Sequence, residues 1–503
     1  MKSPIDSLVL FVYLIAVVGF GCWFAKRSKT TGEFMAAGGR LPGWAVGLSL
    51  FGTFLSSNTF IGNPGKAFDG NWNFFVFSLT LPIGAWIASK WFVPFYRNSG
   101  EISAYHHLEH RFGPWARIYT VICYLFTQVS RSGTIMLGVS IGMHAVTGWD
   151  IRLIILATGI LVTLYTLVGG IEAVIWTDVI QSLVLSLGAI AVIAVLLLGD
   201  PGGSTLLETA AADDKFSLGS FAFDFTQSSF WVVLLFGIFI NLTNFGIDQN
   251  YIQRYHTANS ESAAKRSLWL GAITYVPVSA MFFLIGTLLF GFYHAHESEM
   301  SAIQTMADDV GKAGAYSDFA LPHFMANHLP AGIGGLLVAA LFAAAMSTID
   351  TSLNSSATIT LKDIFRHIGD GENEKAKMRV LHWSTVIWGV IGTSVAIILT
   401  YDSRNILQIW WDLSGVFAGA MLGLFLLGIL SKKADNLAAI VGVIIGVFTI
   451  FWMSFAKADW MPESFRFPLA SGMVTVIGTL TIFLVGLGVA SLRSRVSRNP
   501  NPN

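Results

Sequence analysis

One segment of the sequence combines hydroxyl side chains with a weak helix interior, a pattern that suits cation binding. Residues 43–65 read GWAVGLSLFGTFLSSNTFIGNPG, and the central hydroxyl cluster weakens a helix because hydroxyls compete for backbone hydrogen bonds. A break there would free carbonyl groups at membrane depth, which is tolerated only where the backbone is buried in protein or lines a cavity. Freed carbonyl oxygens are ligands for a hard cation such as sodium. The alternative is a continuous helix whose hydroxyls pack against neighbouring helices.

A second segment, residues 343–355, carries a stripe of small and hydroxyl side chains. The members recur at helical spacing and so share one face: Ala344, Ser347, Thr348 and Thr351. Close helix packing explains such a stripe, and so does a row of oxygens that face a cation. Asp350 in the same segment favours the cation, because a carboxylate within a membrane span is costly and indicates a functional site.

Three charged residues fall at depths where a bilayer disfavours charge. Asp178 and Asp350 lie about 10 Å and about 16 Å from the inner ends of their spans, at 1.5 Å per residue, so both could serve one inner cation site. The alternative for Asp178 is an interfacial cap or a partner for Thr177. Arg131 is the only cation predicted deep within a span, about 21 Å from Arg117. It either pairs with a buried acid or binds an anionic substrate, since its planar fork suits a carboxylate.

Composition predicts that membrane spans position these residues. The chain has 503 residues, of which 54% are hydrophobic and 12% charged, against about 25% charged in soluble domains. These values exclude an ordinary soluble domain, a disordered chain and nucleic-acid binding by bulk charge. With about 20 apolar residues needed per span, thirteen spans are predicted, at 6–25, 41–64, 72–96, 117–146, 151–168, 171–199, 229–250, 267–293, 331–361, 380–400, 405–430, 436–456 and 468–492.

The basic residues predict the orientation of these spans. With the N-terminus outside and the C-terminus cytoplasmic, most of the 30 Lys and Arg residues fall in inside segments, as the positive-inside rule requires. Arg254, Lys265 and Arg266 are among them. Spans 2–6 and 7–11 form two groups of five, and because five is odd the second group is inverted, a recurring transporter plan. The predicted units are an N-terminal helix (1–30), two repeats (38–199 and 229–431) and a C-terminal pair with a basic tail (434–503).

Enzyme motifs are absent from the sequence. It contains neither a glycine-rich phosphate loop nor a nucleophile elbow. We therefore predict a protein that is not an enzyme and has no organic cofactor.

Three stretches of the chain resemble the sodium:solute symporter family. They are residues 38–68, which are similar to the first core helix of the family, GGIEAVIWTDVIQ (169–181) and GIDQNYIQRY (246–255), and the hydroxyl-rich ninth span follows them. The resemblance implies an all-α, leucine-transporter-type fold with a five-plus-five inverted repeat, an extra N-terminal helix and two C-terminal helices. It also implies sodium-driven uptake by alternating access.

The family resemblance also implies the positions of the ion sites. A first sodium site falls on backbone carbonyls and hydroxyls of the broken helix and the ninth span: Gly52, Leu55, Ala344, Ser347 and Thr348. A second sodium site, resembling that of bacterial sialic acid symporters, falls on Asp178, Asp350 and Thr351. Asp350 stands where those symporters have a hydroxyl, so this site either binds its cation more strongly or is linked to a proton.

Among family members, the chain is most similar to bacterial sialic acid symporters. This implies substrate contacts at Ser56, Thr59, Arg131 and Phe74. Phe54 and Ser78 would also face the substrate, but they replace a Thr and a Gln. The implied protein is a monomer in the bacterial inner membrane that takes one or two sodium ions and a small-molecule substrate, without nucleic acid. A neutral sugar, a small monocarboxylate and a sensor that moves no solute are the alternatives.

Overall fold

The structure is a computed structural model, and it describes residues 3–456, 462 and 466–498. Within these residues the chain is helical without strands, apart from an isolated bridge between Leu41 and Ala258. The first eleven helices are α1 (Pro4–Trp23), α2 (Thr31–Ala36), α3 (Gly43–Phe54), α4 (Asn63–Asp69), α5 (Phe75–Leu79), α6 (Leu81–Ile87), α7 (Val93–Ser99), α8 (His106–Phe112), α9 (Pro114–Thr147), α10 (Ile151–Leu198) and α11 (Gly203–Ala212).

The second part of the chain forms eleven further helices. They are α12 (Phe230–Ile247), α13 (Gln249–Thr257), α14 (Glu261–Ala295), α15 (Glu297–Asp309), α16 (Ala320–Asn327), α17 (Ile333–Ile359), α18 (Arg366–Gly369), α19 (Glu374–Leu399), α20 (Ile406–Leu430), α21 (Asn436–Phe455) and α22 (Gly472–Arg498). Single π-helical turns lie at Asn58–Gly62, Ala88–Phe92 and Thr360–Ile364.

Many of these helices have the length and composition of membrane spans. In the described part of the chain, ten are long and apolar enough to cross a bilayer, or eleven when the bent pair Gly43–Phe54 and Asn58–Asp69 is counted as one span. Helix α9 and the segment Ile151–Leu167 are helical as predicted but lie outside that set. The chain is therefore an all-helical, multi-pass membrane protein, and the count of thirteen spans stays a prediction.

The two spans predicted at 151–168 and 171–199 join in one long helix with a kink. The kink lies at Gly170, whose φ of 61° and ψ of −170° are not helical. A Cβ at this position would lie 2.9 Å from Ser28 Oγ and 3.1 Å from Phe34 Cα. Glycine is therefore required here both for its positive φ and for the close approach of the N-terminal segment.

Helix α17 lies at the centre of the fold and positions the predicted hydroxyl stripe. It packs against α10, α9, α1 and α19, and all residues from 337 to 359 are buried. The extra N-terminal helix is fixed to its start: Asp6 Oδ1 accepts hydrogen bonds from the backbone N–H groups of Gly332 (2.7 Å) and Gly335 (2.9 Å). A carboxylate at a helix N-terminus satisfies otherwise unpaired donors and interacts favourably with the helix dipole.

The last two helices, α21 and α22, pack against each other and against α20. Their positions match the predicted spans at 436–456 and 468–492. The end of the predicted basic tail, residues 499–503, lies outside the described residues.

Candidate functional site

The predicted break in the second span is confirmed. Helix α3 ends at Phe54, and the axis bends by 55° before the chain continues from Asn58. Leu55, with φ −83° and ψ 88°, terminates the helix. Two hydroxyls hold the broken region: Thr59 Oγ1 donates to the Phe54 carbonyl at 2.9 Å, and Ser57 Oγ donates to a carbonyl of α9 at 2.8 Å. Thr59 thus satisfies a carbonyl that the break frees, and Ser57 ties the broken region to α9.

The break meets the stripe on α17 at the predicted first sodium site. Ser347 Oγ lies 3.4 Å from the Gly52 carbonyl oxygen and 3.2 Å from the Ala344 carbonyl oxygen. Thr348 Oγ1 lies 3.3 Å from the same Ala344 oxygen. Two carbonyls and two hydroxyls therefore converge across α3 and α17, a set of neutral oxygens that suits a hard monovalent cation. Leu55 lies at the end of α3, and its role as a ligand stays a prediction.

Gly52 permits this convergence because it has no side chain. A Cβ there would lie 2.7 Å from Ser182 Oγ and 3.5 Å from Asp178 Cβ on α10. The broken helix is therefore packed closely between α10 and α17 at the predicted first sodium site.

The predicted second sodium site contains an internal cation that the sequence analysis did not place there. Arg254 Nη2 donates to Asp178 Oδ2 at 3.0 Å and to Thr351 Oγ1 at 2.8 Å. Arg254 is fully buried, which the sequence analysis did not predict, whereas its assignment to the inside segments stays a prediction. The interfacial alternative for Asp178 is wrong, because this side chain is fully buried and ion-paired.

Asp350 has different hydrogen-bond partners from Asp178. Its Oδ2 accepts a hydrogen bond from the hydroxyl of Tyr165 at 2.6 Å, and its Oδ1 accepts one from the backbone N–H of Thr351 at 2.5 Å. The side chain is fully buried. The structure therefore joins Asp178 and Thr351 through Arg254, whereas Asp350 is held by α10. Tyr165 is a functional candidate that the sequence did not indicate.

A cavity of about 90 Å³ lies beside the break. All six predicted substrate residues line it: Phe54, Ser56, Thr59, Phe74, Ser78 and Arg131. Residues that the sequence analysis did not single out line it as well, among them Asn58, Asn244, Tyr251, Tyr275, Trp410 and Trp411. Ligand pockets commonly measure roughly 300–1,000 Å³, so this cavity must enlarge before it can hold a sugar.

An aromatic pair lies where the cavity adjoins a wider recess. The rings of Phe74 and Trp411 stack with centroids 4.5 Å apart. Phe74 lines both spaces, and the recess measures about 460 Å³ and is bordered by Lys66 and Asp69. Trp411 and its neighbour Trp410 line the cavity.

Arg131 is held in the cavity by one acid and one aromatic ring. Its Nη2 lies 3.3 Å from Asp248 Oδ2, and its guanidinium carbon lies 5.2 Å from the centroid of Trp410. Its Nη1 is buried and has no hydrogen-bond partner among the described residues. The sequence left open whether Arg131 pairs with a buried acid or binds an anionic substrate. It pairs with the buried acid Asp248, and its Nη1 is still available for a further acceptor.

Within the described residues, no group of three or more His, Cys, Asp or Glu side chains is arranged to hold a metal ion. The candidate cation ligands are instead neutral hydroxyls and carbonyls at a helix break. A discontinuous span, a facing oxygen-lined helix and a cavity beside the break are the features of an ion-coupled membrane transporter.

Comparison with known proteins identifies the family. The model of the sodium:solute symporter family matches residues 34–446, so the chain belongs to this family. The sodium/sialic acid symporter NanT of Aliivibrio fischeri is 31% identical over 96% of this chain and 92% of its own length. The sodium/sialic acid symporter SiaT of Proteus mirabilis is 32% identical over 95% and 94%.

Two solved structures are similar to this chain. A Na⁺-coupled sialic acid symporter, in a substrate-bound outward-open state with a novel Na⁺ site, matches with a TM-score of 0.86 and 32% identity over 97% of this chain and 98% of that one. Mhp1, a nucleobase-cation-symport-1 family transporter, matches with a TM-score of 0.58 and 12% identity over 94% of this chain and 96% of that one. The second match shows a shared fold.

Proposed function

We propose that this protein is a sodium-coupled symporter that imports a carboxylated sugar such as sialic acid by alternating access. The observation that carries the proposal is Arg131, which lines the cavity and has a buried donor that is unpaired within the described part of the chain. The hydroxyls of Ser56 and Thr59 line the same cavity. A carboxylate on Arg131 and sugar hydroxyls on the broken helix would together use the polar groups of this site. The sialic acid symporters among its relatives support this substrate class.

Sodium binding would couple the ion gradient to this site. An ion among the oxygens of Gly52, Ala344, Ser347 and Thr348 would tie the broken helix to α17. If that arrangement favours the outward conformation, sodium raises the affinity for substrate, and linkage makes the effect reciprocal. Each charge that enters provides about 2.3 kcal/mol per 100 mV of membrane potential. One or two sodium ions per substrate are expected, the second at Asp178, Asp350 and Thr351.

We also propose the membrane architecture that the sequence predicts. Thirteen spans would form the N-terminal helix (1–30), two inverted repeats (38–199 and 229–431) and the C-terminal pair (434–503). The N-terminus would lie outside and the C-terminus in the cytoplasm of a bacterium, as the basic residues predict. A monomer contains every proposed site residue. The protein would act as a transporter, without enzymatic activity or an organic cofactor.

A small monocarboxylate is a second candidate substrate. The cavity of about 90 Å³ favours a small solute. The human sodium-coupled monocarboxylate transporter 1 is also a relative, 26% identical over 91% of this chain and 74% of its own length. A carboxylate would still bind Arg131, so the two candidates differ in the hydroxyl contacts.

A binding assay in detergent separates these functions. Purified protein is titrated with sialic acids, neutral hexoses and monocarboxylates, each with sodium and with potassium. We expect sodium-dependent binding of a sialic acid that Arg131→Ala abolishes. Binding of hexoses alone would contradict the hypothesis that the substrate carries a carboxylate, and binding of monocarboxylates alone would contradict the hypothesis that it is a sugar. Binding that does not depend on sodium would contradict the coupling.

A further inference from the structure

Asp248 connects the substrate cavity to the buried Arg254. It is the single residue between α12, which ends at Ile247, and α13, which begins at Gln249. Its Oδ2 pairs with Arg131 Nη2 at 3.3 Å, while its Oδ1 accepts a hydrogen bond from the Asn250 backbone N–H at 2.8 Å. One carboxylate therefore holds the cavity arginine and also caps the first turn of α13.

Helix α13 carries this connection to the ion sites. Arg254 follows Asp248 by six residues, about 9 Å along a helix at 1.5 Å per residue. Arg254 Nη1 donates back to the Asn250 carbonyl at 2.8 Å, and its Nη2 donates to Asp178 and Thr351 as described above. Thr351 Oγ1 in turn donates to the Ser347 carbonyl at 2.9 Å. Continuous polar contacts thus run from Arg131 to a residue of the first sodium site.

The short helix α13, which carries Arg254, is buried and tightly bonded to its surroundings. The Asn250 side chain donates to Gln128 at 3.0 Å and accepts from Tyr124 at 3.1 Å. All but one of its nine residues, His256, are buried. A displacement at its N-terminal cap is therefore transmitted to Arg254 rather than absorbed by a flexible loop.

A substrate carboxylate would compete with Asp248 for one cation. Asp248 contacts a single terminal nitrogen of Arg131, and no described residue is a partner of the other terminal nitrogen. When a second carboxylate binds the guanidinium, two anions share one positive charge, and in a buried site each is held less strongly than it would be alone. Substrate binding would therefore loosen the contact that fixes the cap of α13.

We propose that Asp248 couples the substrate site to the sodium site. The substrate carboxylate would compete with Asp248 for Arg131, and the resulting change at Asp248 would reach the proposed sodium-binding face of α17 through α13 and Arg254. Asp248 acts through Arg131 and Arg254 and is a positioning residue. The inference rests on the proposed function, because it requires a carboxylated substrate and sodium. It adds a specific route for the reciprocal effect of the two ligands.

Asp248→Asn tests the route with little change in shape. Asn caps helices as well as Asp does, so α13 should keep its cap while Arg131 loses its counter-ion. The measurement is the affinity for N-acetylneuraminate with sodium and with potassium, together with thermal unfolding. Coupled ligands commonly change each other's affinity by about 5–150-fold. We expect the ratio of the affinity with sodium to the affinity with potassium to lie in this range for the wild type. In Asp248→Asn we expect this ratio to be close to one, chiefly because binding without sodium becomes tighter.

Two further variants keep the test informative. Asp150→Asn changes another acidic cap, whose Oδ1 accepts from the Arg152 and Leu153 backbone N–H groups at an exposed position, and should leave the ratio unchanged. Arg254→Lys keeps the charge but cannot reproduce the forked contacts of the guanidinium, so it should also lower the ratio. This variant provides the test if Asp248→Asn fails to fold.

The outcomes separate this inference from the proposed function. A wild-type ratio that persists in both Asp248→Asn and Arg254→Lys overturns the coupling route and leaves the transporter assignment intact. Absence of sodium-dependent binding in the wild type overturns both. A ratio lost in these two variants and kept in Asp150→Asn supports the route.

Discussion

Arg254 and Asp178 form a buried ion pair, with 3.0 Å between Nη2 and Oδ2 and neither side chain exposed. Ser49 of α3 completes the cluster: its hydroxyl donates to the carboxylate at 2.5 Å and accepts from Arg254 Nε at 2.8 Å. The cluster joins α3, the first half of the broken helix, to α10 and α13.

Arg254→Gln should destabilise the protein strongly, because it leaves the Asp178 carboxylate buried without a counter-ion. Loss of one partner of a buried pair costs about 3–5 kcal/mol. The double variant Arg254→Gln with Asp178→Asn should recover part of this loss, since no unpaired charge remains. Thermal unfolding in detergent measures both effects.

Arg404→Gln is the matched control for the buried pair. It breaks an ion pair with Asp412 at 2.8 Å in which the Arg404 side chain is 52% exposed, and an exposed pair contributes at most about 1 kcal/mol. Equal destabilisation by Arg254→Gln and Arg404→Gln would contradict the expected cost of leaving the Asp178 carboxylate buried without a counter-ion.

The hydroxyls of Ser347 and Thr348 should set the sodium requirement. Replacing both with Ala removes two of the four converging oxygens. We expect the half-saturating sodium concentration to rise at least about ten-fold, which corresponds to about 1.4 kcal/mol. Substrate binding measured across sodium concentrations checks this. Ser394→Ala, at an exposed hydroxyl bonded to the Val390 carbonyl, is the control, and an unchanged sodium requirement in the double variant would reject the site.

Asp350→Asn should reduce the charge moved per substrate, because it removes a fully buried carboxylate from the proposed second sodium site. Asn has nearly the same volume and can still accept from the Tyr165 hydroxyl. Currents and tracer flux measured together in proteoliposomes give the charge per substrate. Tyr165→Phe, which keeps the carboxylate, should leave this value unchanged. The same charge per substrate in Asp350→Asn and the wild type would make Asp350 a structural polar group.

Asp6→Ala should lower the free energy of unfolding by about 1–2 kcal/mol, the usual loss when a helix N-terminus loses its cap. The reason is that Asp6 is the acceptor for two backbone N–H groups at the start of α17. Asp6→Asn keeps an acceptor oxygen and should lose less. Unfolding curves that are identical for all three proteins would show that the N-terminal helix does not stabilise α17 through this contact.

The sequence predicted those parts of the site that local chemistry determines. A run of hydroxyls that cannot support a regular helix indicated the break at Leu55, and helical periodicity indicated the stripe at 344, 347, 348 and 351. Partners from distant segments were not predictable in this way. Arg254 looked like an inside-loop cation because its helix is short and polar, and its burial depends on Asp178 and Thr351. Tyr165 likewise acquires its role only through packing of α10 against α17.

Uptake of N-acetylneuraminate into proteoliposomes tests the proposed function most directly. Wild-type protein and Arg131→Ala are compared under an inward sodium gradient and under an equal potassium gradient. We predict accumulation above the external concentration with sodium in the wild type only, because the ion gradient must drive a carboxylate that Arg131 binds. Equal uptake under both gradients would contradict sodium coupling. Uptake by Arg131→Ala with near-normal affinity would contradict recognition of the carboxylate.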